Sequence, residues 1–268
     1  MSTTSQQQNP GWGRRRLLAM VAATALLAGT VLAVLVWFAV DAVTGPPPAA
    51  AVFVDAAVPR STGQVWRDEV AAAPMLRVDP AASRSGVPAI TRSGVIDVPA
   101  ATREGPAGVP TGYPRTPAGA VGQLAAIDTT VLTGMSPRRT REVHQAWSLP
   151  GAPAVEAWVM AGNVAAFLAA AGPAPAGVPP VVVAYPAAGQ VKGADGPDWV
   201  LACVLLRVDA TIARTASIAY GRCERMQWSG GRWQIAPGAQ PAPAPATWPG
   251  TDQAARAGWL TWSPGEQG

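Results

Sequence analysis

The feature that most constrains this chain is a run of 24 uncharged residues, Leu17–Val40, placed directly after three arginines. At about 1.5 Å of rise per residue, a helix of this length spans roughly 36 Å, which exceeds the ~30 Å hydrocarbon core of a bilayer. Trp37 and Phe38 lie at its far end, where aromatic rings favour the headgroup layer. Residues 14–42 are therefore predicted to form a single transmembrane helix with a basic flank.

The arginines Arg14, Arg15 and Arg16 set the predicted orientation of this helix. Positively charged flanks stay on the cytoplasmic side, so residues 1–13 are predicted to be a cytoplasmic stub and the remainder extracytoplasmic. A cleaved signal peptide is the alternative, but the apolar region of such a peptide is ordinarily only about 7–15 residues long. We therefore expect a single-pass protein of the cell membrane, with the lipid bilayer as its first partner.

A stripe of small residues inside the apolar run bears on self-association. Ala25, Gly29 and Ala33 are spaced four apart, which allows two membrane helices to pack closely. A homo-oligomer is therefore one expected partner, although the abundance of alanine in this chain also accounts for the spacing.

The charge of the exported part argues against nucleic acid as a partner. The formal net charge is +4, and without Arg14, Arg15 and Arg16 the remaining chain carries +1. Because nucleic-acid binding depends on a dense basic face, none is expected here.

Two cysteines, Cys203 and Cys223, are the only ones in the chain, and both fall in the exported half. An even pair in an oxidising compartment is typical of a disulfide, with two reduced buried thiols as the alternative. His144 is the only histidine, so the sequence offers too few ligands for a metal site. No metal and no cofactor are expected.

The exported part divides by composition. Residues 43–115 are rich in proline, glycine and alanine and are predicted to be an extended linker. Its scattered apolar residues, such as Phe53 and Trp66, leave open the alternative that short pieces dock onto the domain. Residues 116–238 are predicted to be an α+β domain, and residues 239–268 a tail rich in proline and tryptophan.

Three amphipathic helices are predicted at the start of the domain. Thr116 and Ser136 are side-chain caps, each followed by a proline at the first helical position. A third helix is predicted from about Pro153 to Ala171, where Gly172 and Pro173 end it.

The pattern then changes to period two, which indicates strands. Residues 199–209 and 215–228 are predicted to pair so that Cys203 lies opposite Cys223. Gly230 and Gly231 form a hairpin turn that sets Trp228 across from Trp233. Three helices followed by at least four antiparallel strands indicate helices packed on one side of a curved sheet. This order of elements is that of the nuclear-transport-factor-2-like fold.

Candidate site residues are few. Asp128 and Tyr220 are the only pair that a cone of this type would use for proton transfer, and a solvated Asp128 is the simpler interpretation. His144 lacks an acidic partner, so a surface or half-buried helix residue is favoured over a catalytic base. Arg138, Arg139 and Arg141 are interpreted as a solvated helix face, with an acidic partner or anionic headgroups as the alternative. Most of the 11 tryptophans are predicted to be core contacts.

Two stretches resemble a known family. They are Gly108–Val121, which reads GVPTGYPRTPAGAV, and Met226–Trp233 followed by Trp248–Asp252, which read MQWSGGRW and WPGTD. They resemble single-pass membrane proteins of actinobacterial conjugative and integrative elements. In that family the extracytoplasmic domain is similar to the inner-membrane scaffold of type IV secretion systems, which has the nuclear-transport-factor-2-like fold. The resemblance implies no catalytic residues.

The first functional hypothesis is therefore a non-enzymatic membrane protein that helps to assemble a conjugation or secretion apparatus with other envelope proteins. The alternative is an exported module that holds a small apolar ligand for a membrane transporter. A lone apolar cavity with a few polar groups would favour the ligand, and a filled cone with an exposed apolar edge would favour assembly. An isomerase or dehydratase is the third and least favoured interpretation.

Overall fold

The computed structural model describes residues 63–171, 181–211 and 215–265. The predicted stub, the apolar run with Arg14, Arg15 and Arg16, and the first part of the predicted linker lie outside these residues. Among the helices that are described, none has the length and apolar character needed to cross a bilayer.

Five α-helices and eight strands make up the described part. The helices are α1 (Gln64–Ala72), α2 (Pro117–Gly134), α3 (Pro137–Trp147), α4 (Val159–Ala171) and α5 (Asp252–Arg256). The strands are β1 (Val95–Val98), β2 (Arg103–Glu104), β3 (Pro110–Thr111), β4 (Val181–Asp195), β5 (Trp199–Thr211), β6 (Thr215–Ser229), β7 (Arg232–Ile235) and β8 (Leu260–Pro264). The chain is thus a mixed α+β protein.

The predicted helix starts are confirmed for α2 and α3. The Thr116 hydroxyl accepts a hydrogen bond from the Gly119 N–H at 3.1 Å, and the Ser136 hydroxyl accepts one from Arg139 at the same distance. The third helix begins later than predicted, at Val159, because residues 155–157 form a separate 3-10 turn.

Six strands form one curled sheet in the order β1-β8-β4-β5-β6-β7, and β2 pairs with β3 separately. In the large sheet β1 and β8 run parallel, whereas the other described strand pairs are antiparallel. The predicted register is confirmed, since Cys203 lies opposite Cys223 and Trp228 opposite Trp233. Gly230 and Gly231 adopt φ of 56° and 77° in the turn between β6 and β7, as the predicted hairpin requires.

One face of this sheet is covered by α2, α3 and α4, which we call the helical layer. The even-numbered residues of β5 point into it, from Val200 to Val208. They pack with buried side chains of the helices and of the segment before α4, including Leu124, Ile127 and Trp158. The predicted amphipathic faces of α2 and α3 form this core, and α4 adds Met160 and Val164.

The opposite face is covered by residues 64–83 and 236–259, which we call the terminal layer. The odd-numbered residues of β5 point into this layer, beginning with Trp199 and Leu201. They form a second core cluster with Ala71 of α1 and with Trp259. The sheet is therefore buried on both faces over much of β5.

The predicted domain boundaries are consequently too narrow. The second half of the predicted linker supplies α1 and β1, and the predicted tail supplies α5 and β8, which joins the large sheet. The physical reason is that β5 is apolar on both faces, and one layer of helices can bury only one of them.

Backbone hydrogen bonds hold the two segments of the terminal layer to each other. The Ala242 N–H donates to the Ala71 carbonyl at 2.8 Å, and the Trp248 N–H donates to the Ala82 carbonyl at 2.6 Å. The proline-rich segment also approaches β6 closely, because a Cβ on Gly221 would lie 2.6 Å from the carbonyl oxygen of Pro245. The layer is thus packed onto the sheet without regular secondary structure over most of its length.

Candidate functional site

A buried arginine between two carboxylates is the most concentrated group of charges in the described residues. Arg222 of β6 donates one hydrogen bond to Asp128 of α2 and another to Glu224, two positions along its own strand. Arg222 is 4% exposed, Glu224 1% and Asp128 0%. Even-numbered residues of β6 face the helical layer, so the strand places both of its charges against α2.

Two aromatic rings from the helical side enclose this cluster. The indole Nε1 of Trp158 donates to Glu224 Oε2 at 3.1 Å, and the Arg222 guanidinium lies 5.0 Å from the centre of the same ring. The ring of His144 lies 5.0 Å from that of Trp158, and its Nε2 lies 3.0 Å from the carbonyl oxygen of Pro153. The cluster is thereby sealed from solvent on this side.

The electrostatics of the cluster single out Asp128. Burial raises the pKa of this carboxyl to about 7; the charge of Arg222 opposes the rise and that of Glu224 adds to it. Burial also lowers the pKa of His144. Asp128 Oδ2 and Arg222 Nε have no hydrogen-bond partner among the described residues. Burial and the Arg222 charge thus act on the pKa of Asp128 in opposite directions.

Asp128 and Tyr220, the predicted proton-transfer pair, both lie on the helical side of the sheet. The Tyr220 hydroxyl accepts a hydrogen bond from Asn163 at 2.7 Å, and within the described chain none joins it to Asp128. Burial raises the pKa of Tyr220, and the nearby Asp128 charge adds to this rise. The interpretation of Asp128 as a solvated residue is wrong, because Arg222 supplies a buried partner that compensates its charge.

Sequence reasoning missed Arg222 and Glu224 as members of this cluster. The signal was present in β6, where Tyr220, Arg222 and Glu224 occupy the inward positions that apolar residues occupy in β5. Three polar side chains in succession on the inward face of a strand indicate a buried polar network.

A small cavity of about 220 Å³ reaches Arg222 and Tyr220 from the free edge of β6, and Asn163 and Gln240 also line it. The cluster itself offers no nucleophile, and its carboxylates are held by the guanidinium. Over residues 63–171, 181–211 and 215–265, no three metal-binding side chains are grouped to hold an ion. The arrangement is that of a buried ionic network, which contributes to positioning α2 on the sheet.

Arg138 and Arg141 lie on a solvated face of α3, as predicted, whereas Arg139 is half-buried. Arg138 pairs with Glu142 one turn later at 2.7 Å, and its side chain is 84% exposed. Arg139 approaches the same carboxylate at 3.8 Å. Such exposed pairs contribute little to stability. His144 is buried beneath this face, against Trp158.

Cys203 and Cys223 are joined as a disulfide, with 4.0 Å between their Cα atoms. The bond lies on the terminal-layer side of the sheet, where the Met75 sulfur is 3.6 Å from Cys223 Sγ. It therefore links β5 to β6 directly beneath the segment that follows α1.

The outer ends of β4, β5 and β6 project an apolar surface, which we call the outer ribbon (residues 181–186, 206–211 and 215–220). Val181, Val183 and Tyr185 are exposed on one face by 59%, 50% and 40%, and Ile218 is exposed on the opposite face by 41%. Of the nine tryptophans within the described residues, in contrast, five are fully buried and four are partly buried against the core. Those fully buried are Trp147, Trp158, Trp199, Trp233 and Trp259.

A groove of about 750 Å³ lies beside the outer ribbon. Its walls are residues 74–80 and 242–246 of the terminal layer, and Ile218, Ala219 and Tyr220 of β6 line it as well. The groove thus lies outside the helical layer, away from the buried cluster.

Comparisons with protein-family models, curated proteins and solved structures give no match for this chain. The fold and the site describe a mixed α+β domain with a buried ionic network, and the outer ribbon is one of the places where it exposes apolar side chains.

Proposed function

We propose that this chain is a non-enzymatic, single-pass membrane protein whose extracytoplasmic domain helps to assemble a conjugation or secretion apparatus. The membrane part of the proposal rests on the run Leu17–Val40 and its arginine flank. The observation that carries the assembly part is an interior occupied by Trp158 and the Arg222 ion pairs, combined with the exposed apolar side chains of the outer ribbon.

The interior is where a nuclear-transport-factor-2-like cone would hold a substrate or ligand. Helices on one face of a curled, mostly antiparallel sheet support assignment to that fold, and the terminal layer is an addition to it. Trp158 and the Arg222 pairs occupy the space between helices and sheet. A domain filled in this way is better suited to binding proteins on its surface than to converting a small molecule inside.

The outer ribbon offers the surface for such binding. Val181, Val183 and Tyr185 alternate along β4 and so point to the same face. Arg207 lies beside them, 5.9 Å from the Tyr185 ring. Contiguous exposed apolar side chains with an arginine at their margin are typical of protein-binding surfaces. The expected partners are other envelope proteins of the apparatus.

An exported ligand-binding module is the second candidate, and the groove beside the outer ribbon is the observation that favours it. Its lining is mainly apolar, with Met75, Leu76 and Ile218 among the contributing residues. The groove is open to solvent along the free edge of β6, whereas small-molecule sites usually enclose most of their ligand. Assembly is therefore the function that the geometry supports better.

The function is tested by DNA transfer from a native host in which the gene is deleted and then restored. Deletion should reduce transfer, and the unmodified chain should restore it. The double variant Val183→Lys with Tyr185→Lys should fail to restore transfer at normal protein levels, because two charges disrupt the apolar surface. Ile90→Lys is the matched control, since Ile90 is 93% exposed and lies outside the outer ribbon. Transfer unaffected by deletion would contradict the proposal.

The topology is tested separately with a reporter fused after Gly268. The reporter should be active only outside the cytoplasm, because Arg14, Arg15 and Arg16 hold the amino terminus inside. Replacing all three arginines with glutamate should scramble or reverse the orientation. Reporter activity in the cytoplasm for the unmodified chain would rule out the proposed localisation.

A further inference from the structure

The cavity of about 220 Å³ at the edge of β6 combines apolar walls with buried polar groups. Val159 of α4 and residues 241–244 of the terminal layer supply apolar wall. The polar residues that line the cavity are Asn163, Tyr220, Arg222 and Gln240. Pockets that bind small molecules have this composition, in which a few polar groups converge within an apolar lining.

Two donors that line this cavity have no acceptor among the described residues. They are Arg222 Nε and Gln240 Nε2, and both atoms are buried. Arg222 is 4% exposed, and its two Nη atoms are already bound to Asp128 and Glu224. Buried N–H groups in folded proteins nearly always have a hydrogen-bond partner. The two orphaned donors therefore point to an acceptor that enters the cavity.

The Tyr220 hydroxyl is a third donor in the same lining. It accepts a hydrogen bond from Asn163 Nδ2 at 2.7 Å, so its own proton is free for another acceptor. Burial raises the pKa of Tyr220, which keeps the hydroxyl protonated at neutral pH. The cavity thus presents donors from three side chains to an oxygen atom of a ligand.

The charges around the cavity favour a neutral ligand over an anion. Arg222 is the one charged residue of the described lining, and Asp128 and Glu224 both pair with it. These three groups together carry −1 when both carboxylates are ionised, and zero when Asp128 is protonated. No net positive charge is therefore available to compensate a buried anion, whereas a neutral carbonyl oxygen needs only the donors.

The groove of about 750 Å³ adjoins this cavity, because Tyr220 and residues 242–244 line both of them. Met75, Leu76 and Ile218 extend the groove as an apolar surface. A hydrocarbon chain that leaves the cavity along the groove would cover Leu76 and Ile218, which are exposed by 46% and 41%. Buried donors in the cavity and an apolar path beside it together fit an amphipathic molecule.

We propose that the cavity and the groove bind an amphipathic molecule with a neutral acyl carbonyl and an apolar chain, such as a fatty-acyl amide or ester. The carbonyl oxygen accepts hydrogen bonds from the donors in the cavity, and the alkyl chain lies in the groove. This site goes beyond the proposed function and does not depend on it.

Photo-labelling of the full chain in its own membrane tests this site. The probe is octanamide with a diazirine near the end of its chain, which bonds covalently to neighbouring residues on illumination. Labelling should saturate as the probe concentration rises. Peptide mapping should place the label within residues 74–80 or 242–246, because these form the walls of the groove.

Unlabelled competitors test the chemistry of the head group at about pH 8, where octanoate is ionised. Octanamide and methyl octanoate should both reduce the labelling, and the stronger of the two identifies an acyl amide or an acyl ester as the preferred form. Octanoate at the same concentration should compete several-fold less, because its charge is not compensated. Equal or stronger competition by octanoate would overturn the neutral head group.

Gln240→Met removes one donor and retains the length of the side chain. Because Gln240 Nε2 has no partner in the described chain, this variant should fold normally and keep the bond between Cys203 and Cys223. Its labelling at low probe concentration should fall about fivefold, which corresponds to the loss of one hydrogen bond. Gln145→Met is the matched control, since Gln145 is exposed on α3 and does not line the cavity.

Labelling that does not saturate, or that maps outside the groove, would overturn the proposal. A cavity that holds only water would give this result. Equal labelling of the Gln240→Met variant and the unmodified chain would also overturn it, because the buried donors would then play no part in binding.

Discussion

The two layers that cover the sheet achieve the same burial with very different chain segments. The helical layer uses three regular helices, of which α2 alone spans 18 residues. The terminal layer uses two short helices, α1 and α5, joined to segments rich in proline and alanine. Each nevertheless buries one face of β5. Burial of a sheet face therefore needs close contact and satisfied backbone groups, and it does not need regular secondary structure.

Each layer also contains a buried tryptophan whose indole N–H donates to a backbone carbonyl. In the helical layer the indole Nε1 of Trp147 donates to the carbonyl of Pro106 at 3.0 Å. In the terminal layer Trp259 donates to the carbonyl of Pro245 at 3.0 Å. Both side chains are at most 2% exposed. A buried indole whose N–H is paired contributes both apolar area and a satisfied donor.

The largest expected effects come from truncating these two tryptophans. Trp147→Ala and Trp259→Ala should each lower the free energy of unfolding by about 3–5 kcal/mol, because both leave a large cavity and an unpaired carbonyl. Chemical denaturation followed by circular dichroism measures both. Because each layer buries one face of β5, the two variants should lose similar amounts of unfolding free energy.

Equal packing of the two layers would be contradicted if Trp259→Ala lowered the free energy of unfolding by less than about 1 kcal/mol while Trp147→Ala lowered it by the expected amount. Residues 236–259 would then be a loosely attached tail.

Removal of the disulfide should have the next largest effect. The bond lies on the face of the sheet that the terminal layer covers. Replacing Cys203 and Cys223 with serine should cost about 2–4 kcal/mol, because the bond restricts a loop in the unfolded chain. The separation of 20 residues sets the size of that loop. Mass spectrometry of unreduced protein should show the two cysteines in one cross-linked peptide. Two freely alkylated thiols in native protein would show that the bond is absent.

Asp128 gives the helical layer a pH dependence. Its folded-state pKa of about 7 lies above the value of ~3.9 for an unfolded aspartate, so the folded chain binds more protons between these values. The Asp128 contribution to stability is complete below about pH 4 and is lost as the pH rises through about 7.

The free energy of unfolding, measured across this pH range, should therefore decrease as the pH rises. Asp128→Asn should remove this part of the decrease. If the free energy of unfolding of the asparagine variant had the same slope against pH, Asp128 would remain ionised in the folded state, held by Arg222.

The helical layer and the β5–β6 register could be predicted from sequence because their signals are local. A capping side chain followed by proline marks the start of a helix, and two strands around a tight turn have few alternative registers. Cys203 opposite Cys223 follows from this counting. The helix before residue 171 was predicted too long, because a 3-10 turn precedes α4.

The terminal layer could not be predicted in the same way, because proline and alanine over residues 236–249 show no periodicity. Its partners are also distant in sequence, as the bond from Ala242 to Ala71 shows. One indirect signal existed: residues 199–206 of β5 are uninterruptedly apolar, so both faces of that strand require cover. A solvated linker and tail are incompatible with such a strand.

The candidate site was predictable only in part. Asp128 and Tyr220 were placed on the correct elements, but the partner that buries Asp128 was not identified. Arg222 lies 94 positions away, and only the packing of α2 on β6 brings the two charges together. Long-range ion pairs of this kind carry no local pattern in a single sequence.

Native-state hydrogen exchange of the full chain tests most directly whether the terminal layer belongs to the folded core. Amides at Ala242, Trp248 and Trp259 donate backbone hydrogen bonds within this layer, so their peptides should exchange as slowly as those of β5. Exchange of residues 64–83 and 236–259 at the rate of an unstructured peptide, beside a protected β5, would contradict the two-layer account.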